Sequence, residues 1–362
     1  MKFGRSKSYN PDHYVDGDSI IQLSDGRILT YYFRDLNEIT IYNKDTFKSI
    51  LTIDLYDITK EEEKNLNFAD NDGSKQNSII EISNNLLLVG LYQFLIEIDL
   101  KEKTFEYKIV YQSTENILNF IQLTDKRIVL ITRNNIEIIN KEIKGYILKE
   151  KNNIEENWKM KPASPDEYCY SFNFNQYYLS LEIPNNRLLL NSFSTELVHL
   201  GHCGTHPPDE ISRSKIIFID LNNFKIYKST KIFKKDAKSI VLEKIIIIQA
   251  QEDIYIHDII SLDVIRQIPL ENYYDYIYKY NNDYIIAFSE YEKRNNLLIY
   301  KVQGNNLLKN LVVKNTFGFN QNIGYNCYPI YRYNNKFVFT LKDKRLIILC
   351  NGAINLLNLE ID

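Results

Sequence analysis

Three of the chain's five histidines fall in one stretch, TELVHLGHCGTHPPDE, where His199, His202 and His206 stand with Cys203 and Asp209. The spacings His199-x-x-His202 and Cys203-x-x-His206 could bring imidazoles and a thiol onto one zinc or copper ion. Such an ion can staple a long loop that has little core of its own. Two arguments oppose it. Pro207-Pro208 fixes an extended path directly after His206, and a structural zinc needs all four side chains at about 2.0–2.3 Å together. The expectation is that His199, His202, Cys203 and His206 do not converge. No metal and no cofactor is assigned, and the three histidines are read as partner-contacting residues of a surface loop.

Aromatic residues form the second group. Trp158, Tyr168 and Tyr170 lie with Pro162 and Pro165 in one polar stretch, and Phe317, Phe319 and Tyr325 lie with glycines in NTFGFNQNIGYNCY. Aromatics of this kind either anchor their own loop or serve as binding hot spots, and all six are candidate partner-binding residues. The acidic run EEEK at Glu61 to Lys64, with Asp70 and Asp72 beyond it, reads as a solvated loop or a dock for a basic partner. The other histidines, His13 and His257, belong to no local Ser/His/Asp or Cys/His signature. There is no P-loop and no GxGxxG, and no catalytic residue is assigned.

What must position these residues is a repeat. SIIQLSDGRILTYYFRDLNEITIYN from Ser19, SIIEISNNLLLVGLYQFLIEIDL from Ser78 and NFIQLTDKRIVLITRNNIEIIN from Asn119 share one grammar, and further copies begin near Tyr177, Ser239, Tyr276 and Tyr328. Their spacing of roughly 52 residues suits propeller blades rather than helical repeats. A short alternating strand is followed by Asp25-Gly26, Asn84-Asn85, Asp125-Lys126, Asn185-Asn186, Asn281-Asn282 or Asn334-Asn335. These residue types tolerate the positive φ of a two-residue hairpin; the fifth copy has Glu243-Lys244 instead. The second strand is nearly all apolar (RIVLIT, KIIIIQA), as a strand covered on both faces must be. The third alternates (EITIYN, IEIDL, IFIDL), and an outer, more polar strand completes the unit.

The end of the third strand with its turn, ITIYNKDTF from Ile39, IEIDLKEKTF from Ile96 and IFIDLNNFK from Ile217, resembles a worn WD-repeat blade. Tyr42-Asn43, Ile98-Asp99 and Ile219-Asp220 hold the places of that family's Trp-Asp pair. The chain is therefore expected to be all-β: a seven-bladed β-propeller of four-stranded antiparallel blades over residues 19–362, behind an N-terminal arm of residues 1–18. Because the first and last repeats each look complete, the ring is expected to close without strand exchange, leaving residues 1–14 peripheral. In such a propeller the long insertions, Tyr56 to Asn77, Glu150 to Gln176, Ser194 to Ser214 and Lys314 to Cys327, crowd one face.

With 44 basic and 47 acidic residues and a net charge of -3, the chain has no global field for nucleic acid or an anionic membrane. Aliphatic runs such as Ile245 to Ile248 are far too short to span a bilayer. The residues at the start include no apolar signal. Four scattered cysteines and no Asn-x-Ser/Thr sequon point to the cytoplasm, or the nucleus, rather than to secretion. The function expected is a non-enzymatic scaffold, a monomeric propeller within a larger complex, presenting its loop-rich face to a protein or peptide. The rival expectation is a hydrolase or lyase with carboxylates, or His with Asp, at the channel mouth.

Overall fold

The computed structural model describes residues 2–3, 7–9, 19–32, 38–55, 57–58, 79–132, 134–142, 145–153, 173–198, 209–233, 237–250, 253–269, 276–288, 297–304, 306–313, 338–340, 345–350 and 353–360. Among them are six four-stranded antiparallel sheets and one of five strands. The chain divides into two compact units. One is Met1–Leu118, Glu142–Tyr146 and Phe319–Asp362; the other is Asn119–Lys141 and Ile147–Gly318.

Within each four-stranded sheet the strands follow in chain order. The first sheet runs Ser19–Gln22, Ile28–Tyr32, Glu38–Tyr42, Ser49–Asp54, and the second begins at Ile79–Ser83. The fourth runs Asn173–Ile183, Arg187–Val198, Asp209–Asp220, Lys225–Ser229. The fifth runs Ala237–Val241, Ile245–Ala250, Asp253–Asp258, Val264–Pro269. Gly26, Asn85, Asn185 and Asn186 have the positive φ that their residue types favour, and Lys126 takes it in the third repeat without that preference.

The apolar second strand is explained by how sheets stack inside a unit. In Ile245–Ala250, Ile246, Ile248 and Ala250 pack with Leu189, Ile216 and Phe218 of the fourth sheet. Ile245 and Ile247 pack with Ile277, Ile285 and Ala287 of the sixth. Successive side chains point to opposite faces of a strand, so a strand between two neighbours favours apolar residues on both faces, with Gln249 the one polar residue of this strand. Ile128–Thr132 and the Leu188 to Asn191 segment are buried as well.

The polar positions of the alternating third strand are buried: Glu97 and Glu137 are 2% and 1% exposed, Thr40 and His257 are also buried, and His257 lies beside Phe218 of the fourth sheet. Two expectations are corrected. The stretch Ser194 to Ser214 is not wholly a loop. Arg187–Val198 and Asp209–Asp220 pair along their whole length, to Val198↔Asp209. The described part of the expected peripheral arm, residues 2–3 and 7–9, is strand-paired. Lys2–Phe3 and Lys7–Tyr9 pair antiparallel with Ala353–Glu360, from Lys2↔Glu360 to Tyr9↔Ile354. The last repeat supplies its own outer strand, paired to Arg345–Cys350. That strand still leaves an open row of amide and carbonyl groups, which a nearby chain segment satisfies.

Candidate functional site

Trp158, Tyr168, Tyr170, His199, His202, Cys203, His206, Phe317, Phe319 and Tyr325 all lie outside the described residues. Among the described residues no group of three or more His, Cys, Asp and Glu is placed to hold a metal ion. The structure does assemble a feature that the sequence reading missed, at the seam between consecutive sheets.

It is built on the arginine that follows a tight turn. Arg187, after Asn185-Asn186, donates through Nη1 to the Ile260 carbonyl at 2.8 Å, and its guanidinium lies 3.8 Å from the centroid of the Tyr227 ring. Tyr227 is on the fourth sheet's outer strand and Ile260 is at the tip of the fifth sheet's last turn. The two side chains are 50% and 52% exposed. Ile260 is held by its turn: Asp258 Oδ1 accepts from the amides of Ile260 and Ser261 at 2.9 and 2.8 Å. Those two amides, Ser261 first, hold the Asp258 carboxyl below the usual carboxylate range. Lys228 donates to Asp263 across the same seam at 2.5 Å and keeps that carboxyl low as well. The arrangement presents an aromatic and an aliphatic side chain whose supports are already in place. The arrangement can bind.

The seam between the first and second sheets has the same parts. Arg27 donates to Asn85 Oδ1 at 2.8 Å and to the Lys101 carbonyl at 3.3 Å. The Nε group of Arg27 is paired with Asp25 at 2.7 Å. Ile50 stands where Tyr227 stands in the other seam. Together with Lys44, Leu100, Glu102 and Lys103, these residues line an open groove of about 730 Å³.

No protein-family model matches the chain, and no curated protein matches it. Among solved structures, the chain is similar to the Dos1 propeller at 9% identity, over 99% of this chain and 96% of that one, with a TM-score of 0.50. It also matches Sqt1 of Saccharomyces cerevisiae at 10% identity, over 96% and 97%, with a TM-score of 0.49. A chain of a mitotic checkpoint complex matches at 9% identity, over 80% and 91%, with a TM-score of 0.41. The fold is a WD-repeat-like β-propeller.

In this propeller the pairs at the Trp-Asp places do a turn's work. Tyr42-Asn43, Ile219-Asp220 and also His257-Asp258 begin turns closed by Phe47, Phe224 and Leu262. Each of those three residues has a positive φ between 55° and 59°, and each is buried. An apolar residue in that region costs about 1–2 kcal/mol, less than the roughly 3–5 kcal/mol lost when a buried Phe is truncated. Core packing therefore overrides the glycine preference. The His257 ring closes its turn from inside, with Nδ1 donating to the Leu262 carbonyl at 3.1 Å.

Two carboxylates are buried among the described residues, Glu97 and Glu137, and both are ion-paired. Glu97 meets Lys108 at 2.8 Å and accepts from the Tyr146 hydroxyl at 3.3 Å. Burial, with the Glu97 charge beside it, pushes the Tyr146 hydroxyl well above its ordinary range. Glu137 meets Lys151 at 3.3 Å. These contacts offset the cost of burying a carboxylate. The signal in the sequence was the shared Ile-Glu-Ile, read there as mere alternation.

Proposed function

We propose that this chain is a non-enzymatic interaction module that docks a protein or peptide partner. The observation that supports it best is the half-exposed Tyr227–Ile260 pair, clamped from beneath by Arg187. Tyrosine and arginine dominate binding hot spots, and a site whose side chains are already ordered loses little entropy on association. The aromatic and histidine loops (Trp158, Tyr168, Tyr170, His199, His202, His206, Phe317, Phe319, Tyr325) are proposed as a second contact region. The ion pairing of Glu97 and Glu137 favours a structural role for those carboxylates over a catalytic one.

The test is affinity capture of the intact chain from its native cell, with mass spectrometry and quantified stoichiometry. The comparison is with Arg187→Ala/Tyr227→Ala and Trp158→Ala/Tyr170→Ala variants that retain the wild-type unfolding temperature. A stoichiometric partner should be recovered and should be lost from at least one variant. Recovery of no stoichiometric partner, together with turnover by the purified chain in a hydrolase and lyase substrate panel, would overturn the reading.

A further inference from the structure

The fourth sheet's outer strand begins a lysine-rich run. From Lys225 the chain reads KIYKSTKIFKKDAK, with lysines at 225, 228, 231, 234, 235 and 238 against the lone Asp236. The near balance of charge over the whole chain hides these lysines. Lys225–Ser229 is the last strand of its sheet among the described residues, paired on one side to Asp209–Asp220. The chain continues alongside that partner beyond Ser229: the Thr230 amide donates to the Ile216 carbonyl and Phe233 bridges Ser214. Lys225, Tyr227, Lys231 and Ile232 are exposed along this edge.

We propose that this edge docks an acidic peptide segment, laid alongside Lys225 to Phe233 with an apolar residue against Tyr227 and Ile260. The proposal rests on the interaction-module reading above and names its partner class. Three features point the same way. A terminal strand presents main-chain groups that an extended peptide can pair with. Lysines along such an edge repel basic segments and disfavour plain apolar ones, while admitting carboxylates. Asp220, Asp258 and Asp263 punctuate the same seam. A continuous phosphate backbone would meet these acids, whereas a peptide can place its own carboxylates between them.

The experiment selects binders to the full chain from a random-peptide phage library, then measures fluorescein-labelled versions of the enriched peptides by anisotropy. Enriched sequences should be net acidic with an aliphatic or aromatic residue. Their affinity should fall with added salt, and should drop about tenfold or more in Lys225→Glu/Lys231→Glu and in Tyr227→Ala. Lys225→Arg/Lys231→Arg should retain binding, which separates charge from folding. Acidic peptides that bind these variants unchanged, or enriched peptides that are neutral or basic, would overturn the proposal. Binders lost only on substitution of Trp158 or Tyr170 would also overturn it, and would leave the interaction-module reading standing. Competition by poly(U) at equal or lower concentration would replace the peptide with a nucleic acid. No enrichment at all would count against both readings.

Discussion

At the end of the fifth sheet's third strand, the His257 ring is buried beside Phe218, with its Nδ1 hydrogen committed to the Leu262 carbonyl. Burial lowers its pKa. The Leu262 hydrogen bond and the nearby Asp263 act in the opposite direction, and Lys228 acts with burial. A folded pKa below the unfolded value of about 6.5 means that, as pH falls, the unfolded chain takes up this proton first. The stabilisation is complete above that value and is lost as pH drops through it toward the folded pKa. Urea unfolding should therefore show a lower midpoint at about pH 5.5 than at about pH 7.5. A His257→Phe variant should lose part of that pH dependence, while losing about 1 kcal/mol at neutral pH with the hydrogen bond. An unchanged slope in the variant would remove His257 from the account.

Elements are joined by a recurring latch. Ser24 donates its amide and hydroxyl to Glu81 of the next sheet at 2.6 and 2.7 Å. Thr124 does the same to Glu182 at 2.7 and 2.6 Å. Arg27 and Arg127 reach Asn85 and Asn186 beside those acids, each braced by its own turn aspartate. Hydrogen bonds to a charged acceptor contribute roughly 1.5–3 kcal/mol when shielded, and less at an exposed seam. Glu182→Ala should cost about 1–2 kcal/mol in equilibrium denaturation, and a Thr124→Ala/Glu182→Ala cycle should show a coupling of at least about 0.5 kcal/mol. Additivity would mean that the latch contributes nothing. What the sequence made legible follows from what is local. The turns could be read because Asp25-Gly26 and Asn185-Asn186 answer a one-residue conformational demand. The latch and the Arg187–Tyr227 stack could not, because each joins residues of different repeats and leaves only a recurring arginine as a trace. The burial of Glu97 could not be read, because alternation fixes which face a side chain takes, not what covers that face.

At the scale of the molecule, the first residues of the chain cover an edge of the last sheet. Deleting residues 1–9 should expose the amides of Ala353–Glu360, and hydrogen exchange there should quicken by about tenfold or more, the equivalent of roughly 1.4 kcal/mol of local stability. Exchange in Ile245–Ala250, buried in the other unit, should stay unchanged. Equal acceleration in both segments would mean that these strands support the entire fold rather than one edge.

The latch also constrains how such a chain could have grown or could shrink. Its parts alternate along the sequence: Ser24-Asp25-Gly26-Arg27 and Thr124-Asp125-Lys126-Arg127 are donor turns, while Glu81 with Asn85 and Glu182 with Asn186 are acceptors. A recombination that excised the second repeat alone would set the first donor turn against Gln122 and Lys126, which offer neither carboxylate nor asparagine. Excising the second and third repeats together would set it against Glu182 and Asn186, and every contact would be restored. Among the first four sheets, then, loss of the second and third repeats together would keep the latch partners, whereas loss of the second alone would remove them.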